Sequence, residues 1–250
     1  MSPISIVGAG PGALDLITIR AQQRLKKADV LVWTDSLIPI QITKLVKDDC
    51  EKIKTSSLTL EEILLILIKK HKEGKKIVRL HDGDPCLYGA ISEQICRLND
   101  EGIEVEVVPG VSAYQATAAT LGFELTIPDL TQTIILSRAD GRTGKPEKES
   151  LKKLASIQSS LCLYLSARHV EEVQSILIEY YPANTPVAIG YRVTWPDEWI
   201  KVIPLSEMAR TSRKKNLIRT TLYVISPALK AVNKRSKLYN PTHSHLFRPS

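Results

Sequence analysis

Four short runs carry the residue types that chemistry on a ligand would need. The first is Gly8-Ala9-Gly10-Pro11-Gly12, directly after the apolar stretch Ile4–Val7. Glycine permits a sharp turn and lets a ligand approach the backbone closely. Asp35 falls about where an acidic ribose ligand of a dinucleotide site would be. The third glycine comes too early for G-x-G-x-x-G, and Pro11 lacks the N–H that a pyrophosphate would want. Three readings stay open: a phosphate loop, a ligand-free tight turn, and the wall of a cleft for another ligand.

The second run is Gly83-Asp84-Pro85-Cys86-Leu87-Tyr88-Gly89, preceded by His81-Asp82. It sets a glycine, an acid, a rigid proline and an aromatic at one strand end. Asp84 is either a ligand contact or a helix N-cap. The third run, Leu125–Thr133, reads as a linker or a ligand segment. It leads into Arg138-Ala139-Asp140-Gly141-Arg142-Thr143. An arginine fork binds both oxygens of a carboxylate, so Arg138 and Arg142 are either docking residues or surface charges. The fourth, Gly190–Glu198, sets an aromatic and an acid at a strand end, which suits a ligand wall, with Trp195 also readable as packing alone.

The elements that must hold these runs follow from hydrophobic patterning. Strands are predicted at Ile4–Val7, Val30–Trp33, Ile77–Leu80 and Val105–Val108. Helices are predicted after the first loop, from Thr59-x-x-Glu62 (a capping-box pattern) to Gly74, from about Tyr88 to Glu101, and over Val111–Leu121. Alternation of strand and helix implies a mostly parallel, helix-covered sheet, whose ligands sit beyond the carboxyl ends of the strands. The loops Gly8–Gly12, Thr34–Ser36, His81–Pro85 and Pro109–Ser112 are therefore expected to converge. After Ile127 strand follows strand: Thr133–Ser137, Leu161–Leu165, Val187–Tyr191, Trp199–Ile203 and Thr221–Ile225, with one clear helix at about Val170–Tyr180. The expected organisation is an α/β lobe over 1–127, a second α/β lobe with a mixed sheet over 128–228, and a basic, mobile tail over 229–250.

The chain has 250 residues and a net charge of +7. Lys230, Lys234, Arg235, Lys237 and Arg248 place five of those charges in a tail without acids, which leaves +2 for the body. A near-neutral body argues against nucleic acid as a partner. Cys50, Cys86, Cys96 and Cys162 show no paired spacing and no histidine cluster, so neither a metal site nor a redox pair is expected. Scattered thiols without a signal peptide suggest a reduced, cytoplasmic setting. The longest apolar run, Ile63–Ile68, is too short to span a membrane.

Together these residues resemble the tetrapyrrole methyltransferases, a family that includes uroporphyrinogen and precorrin methylases and a ribosomal-RNA ribose methylase. The resemblance rests on Val7–Gly12, Gly83–Pro85 and Pro109-Gly110-Val111-Ser112-Ala113, and covers about Ile4–Ile225. Leu125–Thr133, Arg138–Thr143 and Thr194-Trp195-Pro196-Asp197-Glu198 are similar to the branch that methylates precorrin-4, with or without cobalt, at carbon 11. Gly144, Cys86 and Leu87 depart mildly from that pattern, and the tail after Pro227 has no counterpart in it.

The resemblance implies two α/β lobes with S-adenosylmethionine between them, a homodimer, and a tetrapyrrole as substrate. It assigns cofactor contacts to Gly83, Asp84, Leu87, Tyr88, Ser112, Ala113, Leu165, Tyr191, Arg192, Thr220 and Thr221. It assigns substrate contacts to Pro11, Asp35, His81, Arg138 and Arg142. Methyl transfer from a sulfonium is an in-line displacement that needs alignment and exclusion of water more than acid–base help. Asp35 is the residue assigned to the chemistry, as holder of a pyrrole N–H or proton acceptor. His81 is the weaker candidate, being equally readable as a satisfied histidine at a strand end. The alternatives are another precorrin or uroporphyrinogen methylase, the ribose methylase branch, a nicotinamide dehydrogenase and a non-catalytic binding module.

Overall fold

The computed structural model describes residues 2–140, 144–230, 236, 244 and 246–248. Arg142 and most of the expected tail lie outside the described residues. The chain divides into two compact units, Met1–Ala116 with Arg192–Glu198, and Thr117–Tyr191 with Trp199–Ser250. The division lies inside a helix, ahead of the boundary near Ile127 drawn from the change of pattern. The expected tail start at 229 is packed: the Leu229 amide donates to the Ser226 carbonyl at 3.2 Å, and Leu229 is 4% exposed.

The first unit begins with β1 (Ile4–Gly8), α1 (Ile19–Lys27), β2 (Val30–Trp33) and β3 (Glu51–Lys54). It continues with α2 (Leu60–Lys72), β4 (Ile77–His81), α3 (Ile91–Asp100), β5 (Val105–Val108) and α4 (Ala113–Leu121), the helix that leads into the second unit. The five strands are all parallel, in the order β3-β2-β4-β1-β5. Side chains alternate across a strand. Leu31 and Trp33 therefore join Val7, Ala21 and Leu25 on one face, while Val30 and Val32 join Ile63, Leu67 and Leu98 on the other. Each fully buried leucine contributes about 1.5–3 kcal/mol relative to exposure.

Helix α2 starts as its sequence demands. Thr59 accepts from the Glu62 amide at 3.3 Å, and Glu62 accepts from the Thr59 amide at 2.7 Å. Strand β3 went unrecognised because Glu-Lys-Ile-Lys at a sheet edge is mostly exposed and shows no apolar face. Helix α3 begins three residues later than Tyr88, because Tyr88 (φ 59) and Ala90 (φ 49) are left-handed and cannot continue a right-handed helix.

The second unit holds β6 (Ile134–Arg138), α5 (Leu151–Ala155), β7 (Ser160–Tyr164), α6 (Val170–Ile178), β8 (Pro186–Tyr191), β9 (Trp199–Pro204), α7 (Met208–Lys214) and β10 (Thr221–Ile225). Its sheet runs β6-β7-β10-β8-β9, with β6 and β7 parallel and the remaining pairs antiparallel. A mixed sheet is therefore present, and among the described residues of this unit α5 and α7 accompany the one clear helix of the sequence, α6. Short α5 and lysine- and arginine-rich α7 give little periodic signal in the sequence. Leu161, Leu163, Val173, Leu177, Ile189 and Tyr223 form its core.

Candidate functional site

In the first unit the parallel strands deliver three glycine loops to one place. The Gly10 amide donates to the Gly83 carbonyl at 3.2 Å, and the Gly83 amide donates back to Gly10 at 2.9 Å. A Cβ on Gly8 would lie 2.6 Å from the Gly83 oxygen and 2.7 Å from the Gly110 nitrogen. Only hydrogen at Cα allows the loops after β1, β4 and β5 to pack backbone against backbone. Gly83 itself is left-handed (φ 54) with open space beside it, the nearest heavy atom to a Cβ being Ser112 Cα at 3.9 Å.

The first loop has few amides left for a ligand. Ala9 donates to the His81 carbonyl at 2.7 Å, Gly10 is committed to Gly83, Pro11 has no N–H, and Ala13 donates to Thr194 Oγ1 at 2.9 Å. The Pro11 carbonyl accepts from the Trp195 indole N–H at 3.0 Å. A loop with its donors committed in this way does not cradle a pyrophosphate. Of the three readings open from sequence, the phosphate loop is set aside.

Trp195 and its neighbours form a locked segment over that loop. Arg192 stacks on the Trp195 ring, 4.9 Å from its centroid, and donates to Asp197 at 2.5 Å. The Thr194 amide donates to Glu198. The part of this segment in holding the first loop was not legible in the sequence, where Trp195 read as ligand wall or packing. Its partners lie about 180 residues away along the chain, beyond any local pattern.

Further along the strand ends, Asp84 accepts from the Cys86 amide at 2.7 Å and its carbonyl from Leu87 at 3.1 Å. It closes a turn and caps no helix. The Ser112 amide donates to Gln115 Oε1 at 2.9 Å at the start of α4, beside Ala113. Asp35, just after β2, accepts from the Ser56 amide at 3.1 Å. Burial pushes its carboxyl upward, but the Ser56 hydrogen bonds and the Lys54 charge together hold it below the usual carboxylate range. His81, 5% exposed at the end of β4, has its imidazole lowered to about 3 by burial and by the charge of Arg79. It is neutral at physiological pH. Gly83, Asp84, Leu87, Tyr88, Ser112, Ala113, Pro11, Asp35 and His81 thus all lie at the carboxyl end of one sheet.

In the second unit the register gathers the remaining residues. Thr221 pairs with Tyr191 across β10 and β8. On the other side of β10, Tyr223 pairs with Leu163 of β7, and Leu165 follows directly after the last residue of that strand, Tyr164. Leu165 is left-handed (φ 52) and 69% exposed, and Thr220 is also left-handed (φ 56). Bulky and β-branched residues rarely hold that conformation, and such strain concentrates at functional sites. Among the described residues, nine non-glycine residues have positive φ, and four of these are Tyr88, Leu165, Arg192 and Thr220.

Arg138 is differently employed. Its guanidinium donates to the carbonyls of Ala139 and Asp140 at 3.2 Å and of Gly144 at 2.5 Å. Much of its fork is spent closing its own loop, beside Lys145, which bonds Ser137 Oγ at 2.8 Å. Among the described residues no group of histidine, cysteine, aspartate and glutamate side chains could hold a metal ion, and no helix is long and apolar enough to cross a membrane. Sequence reasoning passed over Arg79, although a single arginine within Ile77-Val78-Arg79-Leu80, otherwise apolar and buried, was the available signal.

Comparison with known proteins matches residues 3–209 to the family described as Tetrapyrrole (Corrin/Porphyrin) Methylases. The chain is 43% identical over 249 residues to cobalt-precorrin-4 C(11)-methyltransferase of Priestia megaterium, covering 97% of this chain and 96% of that one. It is 38% identical to precorrin-4 C(11)-methyltransferase of Pseudomonas aeruginosa, covering 98% of each. A crystal structure of a cobalt-precorrin-4 methyltransferase, a cobalamin biosynthetic enzyme, superposes with a TM-score of 0.88 at 40% identity, over 91% of this chain and 96% of that one. The uroporphyrin-III C-methyltransferase of Thermus thermophilus, solved with S-adenosylhomocysteine, shares the fold with a TM-score of 0.75 at 24% identity, over 91% of this chain and 99% of that one.

Proposed function

The chain belongs to the tetrapyrrole (corrin/porphyrin) methylases, and on that premise we propose that it methylates precorrin-4, metal-free or cobalt-bearing, at carbon 11 in cobalamin biosynthesis. S-adenosylmethionine supplies the reactive sulfonium methyl. The observation that carries the reading is the state of the strand ends. Glycine loops there expose backbone at Gly83 while committing the amides of Ala9, Gly10 and Ala13 elsewhere. A cofactor without phosphates fits such a frame, and a dinucleotide does not.

Gly83, Asp84, Leu87, Tyr88, Ser112 and Ala113 from the first unit would hold the cofactor, with Arg192 of the same unit. In the second unit, Leu165, Tyr191, Thr220 and Thr221 are the residues that the family resemblance assigns to the cofactor. The exposed apolar side chain of Leu165 suits contact with an adenosyl group and exclusion of water there. Asp35, held ionised by Ser56, serves as a hydrogen-bond acceptor for a substrate N–H rather than as a strong base. Pro11 and His81 line the substrate's side of the first unit. Arg138 orders its own loop and, with Arg142, offers positive charge to the substrate's carboxylate arms. The protein works as a homodimer in the cytoplasm, without nucleic acid.

Isothermal titration with S-adenosylhomocysteine, and with NADP as the control, tests the reading. Micromolar binding of the first alone is expected. Binding of the nicotinamide cofactor alone would overturn it.

A further inference from the structure

At the carboxyl ends of β2 and β4, against α2 and α3, the first unit encloses an open cavity of about 540 Å³. Thr34, Leu37, Arg79, His81, Tyr88 and Gln94 line it. Three of these side chains are at least nine-tenths buried: Arg79 and His81 at 5% exposure and Gln94 at 3%. Each leaves one buried polar atom without a hydrogen-bond partner: Arg79 Nε, His81 Nε2 and Gln94 Oε1.

Arg79 is the centre of the problem. It extends from β4 on the face that carries Ile77, away from Val78 and Leu80. One guanidinium nitrogen, Nη1, makes only long contacts, at 3.4 Å to the Val32 carbonyl and Thr34 Oγ1 and 3.3 Å to the Leu80 carbonyl. It forms no ion pair among the described residues. Burial lowers its pKa to about 10, against the more distant charge of Asp82, so it remains a cation at neutral pH. Two acids border the cavity: Asp82, which offsets Arg79 from beyond contact, and Glu93, which faces Arg97 at 3.9 Å. A buried charge without a partner is costly unless a counter-ion arrives.

We propose that this cavity is a carboxylate subsite, in which Arg79 receives one carboxylate of a bound reactant. The inference rests on the methyltransferase reading. The carboxylate accepts from Arg79 Nε–H, and from His81 when its proton is on Nε2. Gln94 Oε1, whose own amide nitrogen is held by the Ala90 carbonyl at 3.1 Å, accepts from a donor on the same reactant. Two reactants carry both a carboxylate and N–H donors: the tetrapyrrole, on its acidic arms, and S-adenosylmethionine, on its amino-acid end.

The test uses the full chain as wild type, Arg79→Met and Arg79→Lys. S-adenosylhomocysteine is titrated by calorimetry. Uroporphyrin, a stable macrocycle with carboxylate arms, and its neutral amide form are titrated by fluorescence quenching. Thermal unfolding is followed without ligand. Arg79→Met is expected to melt no lower than wild type, because an apolar side chain replaces an unpaired buried charge. It is expected to lose about tenfold or more in affinity for one of the carboxylate probes, with Arg79→Lys restoring part. Loss confined to uroporphyrin, with its amide form binding both proteins alike, assigns the subsite to a substrate arm. Loss confined to S-adenosylhomocysteine assigns it to the cofactor. Wild-type affinity of Arg79→Met for both probes overturns the subsite and leaves the methyltransferase reading intact. So does a lower melting temperature with equal loss for every probe, which marks a purely structural arginine. A wild-type protein that does not bind S-adenosylhomocysteine overturns the methyltransferase reading, and the subsite with it.

Discussion

The Trp195 indole donates to the Pro11 carbonyl at 3.0 Å and lies directly over Gly12, so the first glycine loop is roofed by a residue far along the chain. A Cβ on Gly12 would sit 2.8 Å from the indole nitrogen. Gly12→Ala is expected to cost about 1–3 kcal/mol by overpacking. Trp195→Phe, which removes the donor but keeps a ring, is expected to cost about 1 kcal/mol. Urea unfolding of both variants, with the slope of the transition unchanged, checks this.

Gly83 and Gly110 distinguish conformation from space. A Cβ on Gly110 would collide with the Gly83 carbonyl and lie 3.0 Å from Gly8 Cα, whereas one on Gly83 has room but must accept φ 54. Gly110→Ala is expected to destabilise the whole protein by several times the ~1–2 kcal/mol expected of Gly83→Val. Gly83→Val is expected to remain folded and lose binding of S-adenosylhomocysteine. Thermal unfolding and calorimetry on the same samples separate the two, and retained binding by Gly83→Val would remove its loop from the cofactor site.

Leu165 holds a left-handed backbone while most of its side chain faces solvent. That arrangement gains little in the protein alone. Leu165→Gly is expected to leave stability unchanged or raise it by up to about 1 kcal/mol through released strain. Binding of S-adenosylhomocysteine is expected to weaken about tenfold through loss of the apolar contact. A stability loss with unchanged binding would contradict this.

Asp35 is kept ionised by Ser56 and Lys54, which prevail over the effect of burial. Asp35→Asn is expected to lower kcat by about tenfold to a hundredfold while leaving the Kd of S-adenosylhomocysteine unchanged. The wild-type kcat is expected to show no inflection from this group near neutral pH. Steady-state kinetics across pH on both proteins provides the measurement.

His81 links stability to pH. Its imidazole is depressed to about 3 in the folded protein, while an unfolded histidine titrates near 6.5. The folded state therefore gains from neutral His81 above about pH 6.5, and that gain is lost as the pH falls from 6.5 toward 3. His81→Gln is expected to lose less of its urea midpoint over that interval than wild type. Parallel slopes for the two proteins would exclude the histidine as a source of acid sensitivity.

The sequence by itself determined what depends on neighbours along the chain. The apolar run Val30–Trp33 announced β2, and Thr59 with Glu62 marked the start of α2. The glycine runs announced loops at strand ends, and strand–helix alternation announced a parallel sheet. Edge strand β3, short α5 and polar α7 carry no such signal, because exposed residues are under no demand to be apolar. Tertiary structure alone decided which donors meet which acceptors. The amides of the first loop are consumed by His81, Gly83 and Thr194, Arg138 turns back on its own loop, and Arg79 is buried without an ion-pair partner among the described residues. The reason is physical: periodicity is a property of adjacent residues, whereas the Trp195–Pro11 bond joins groups 184 residues apart and exists only once the strands have set its ends together.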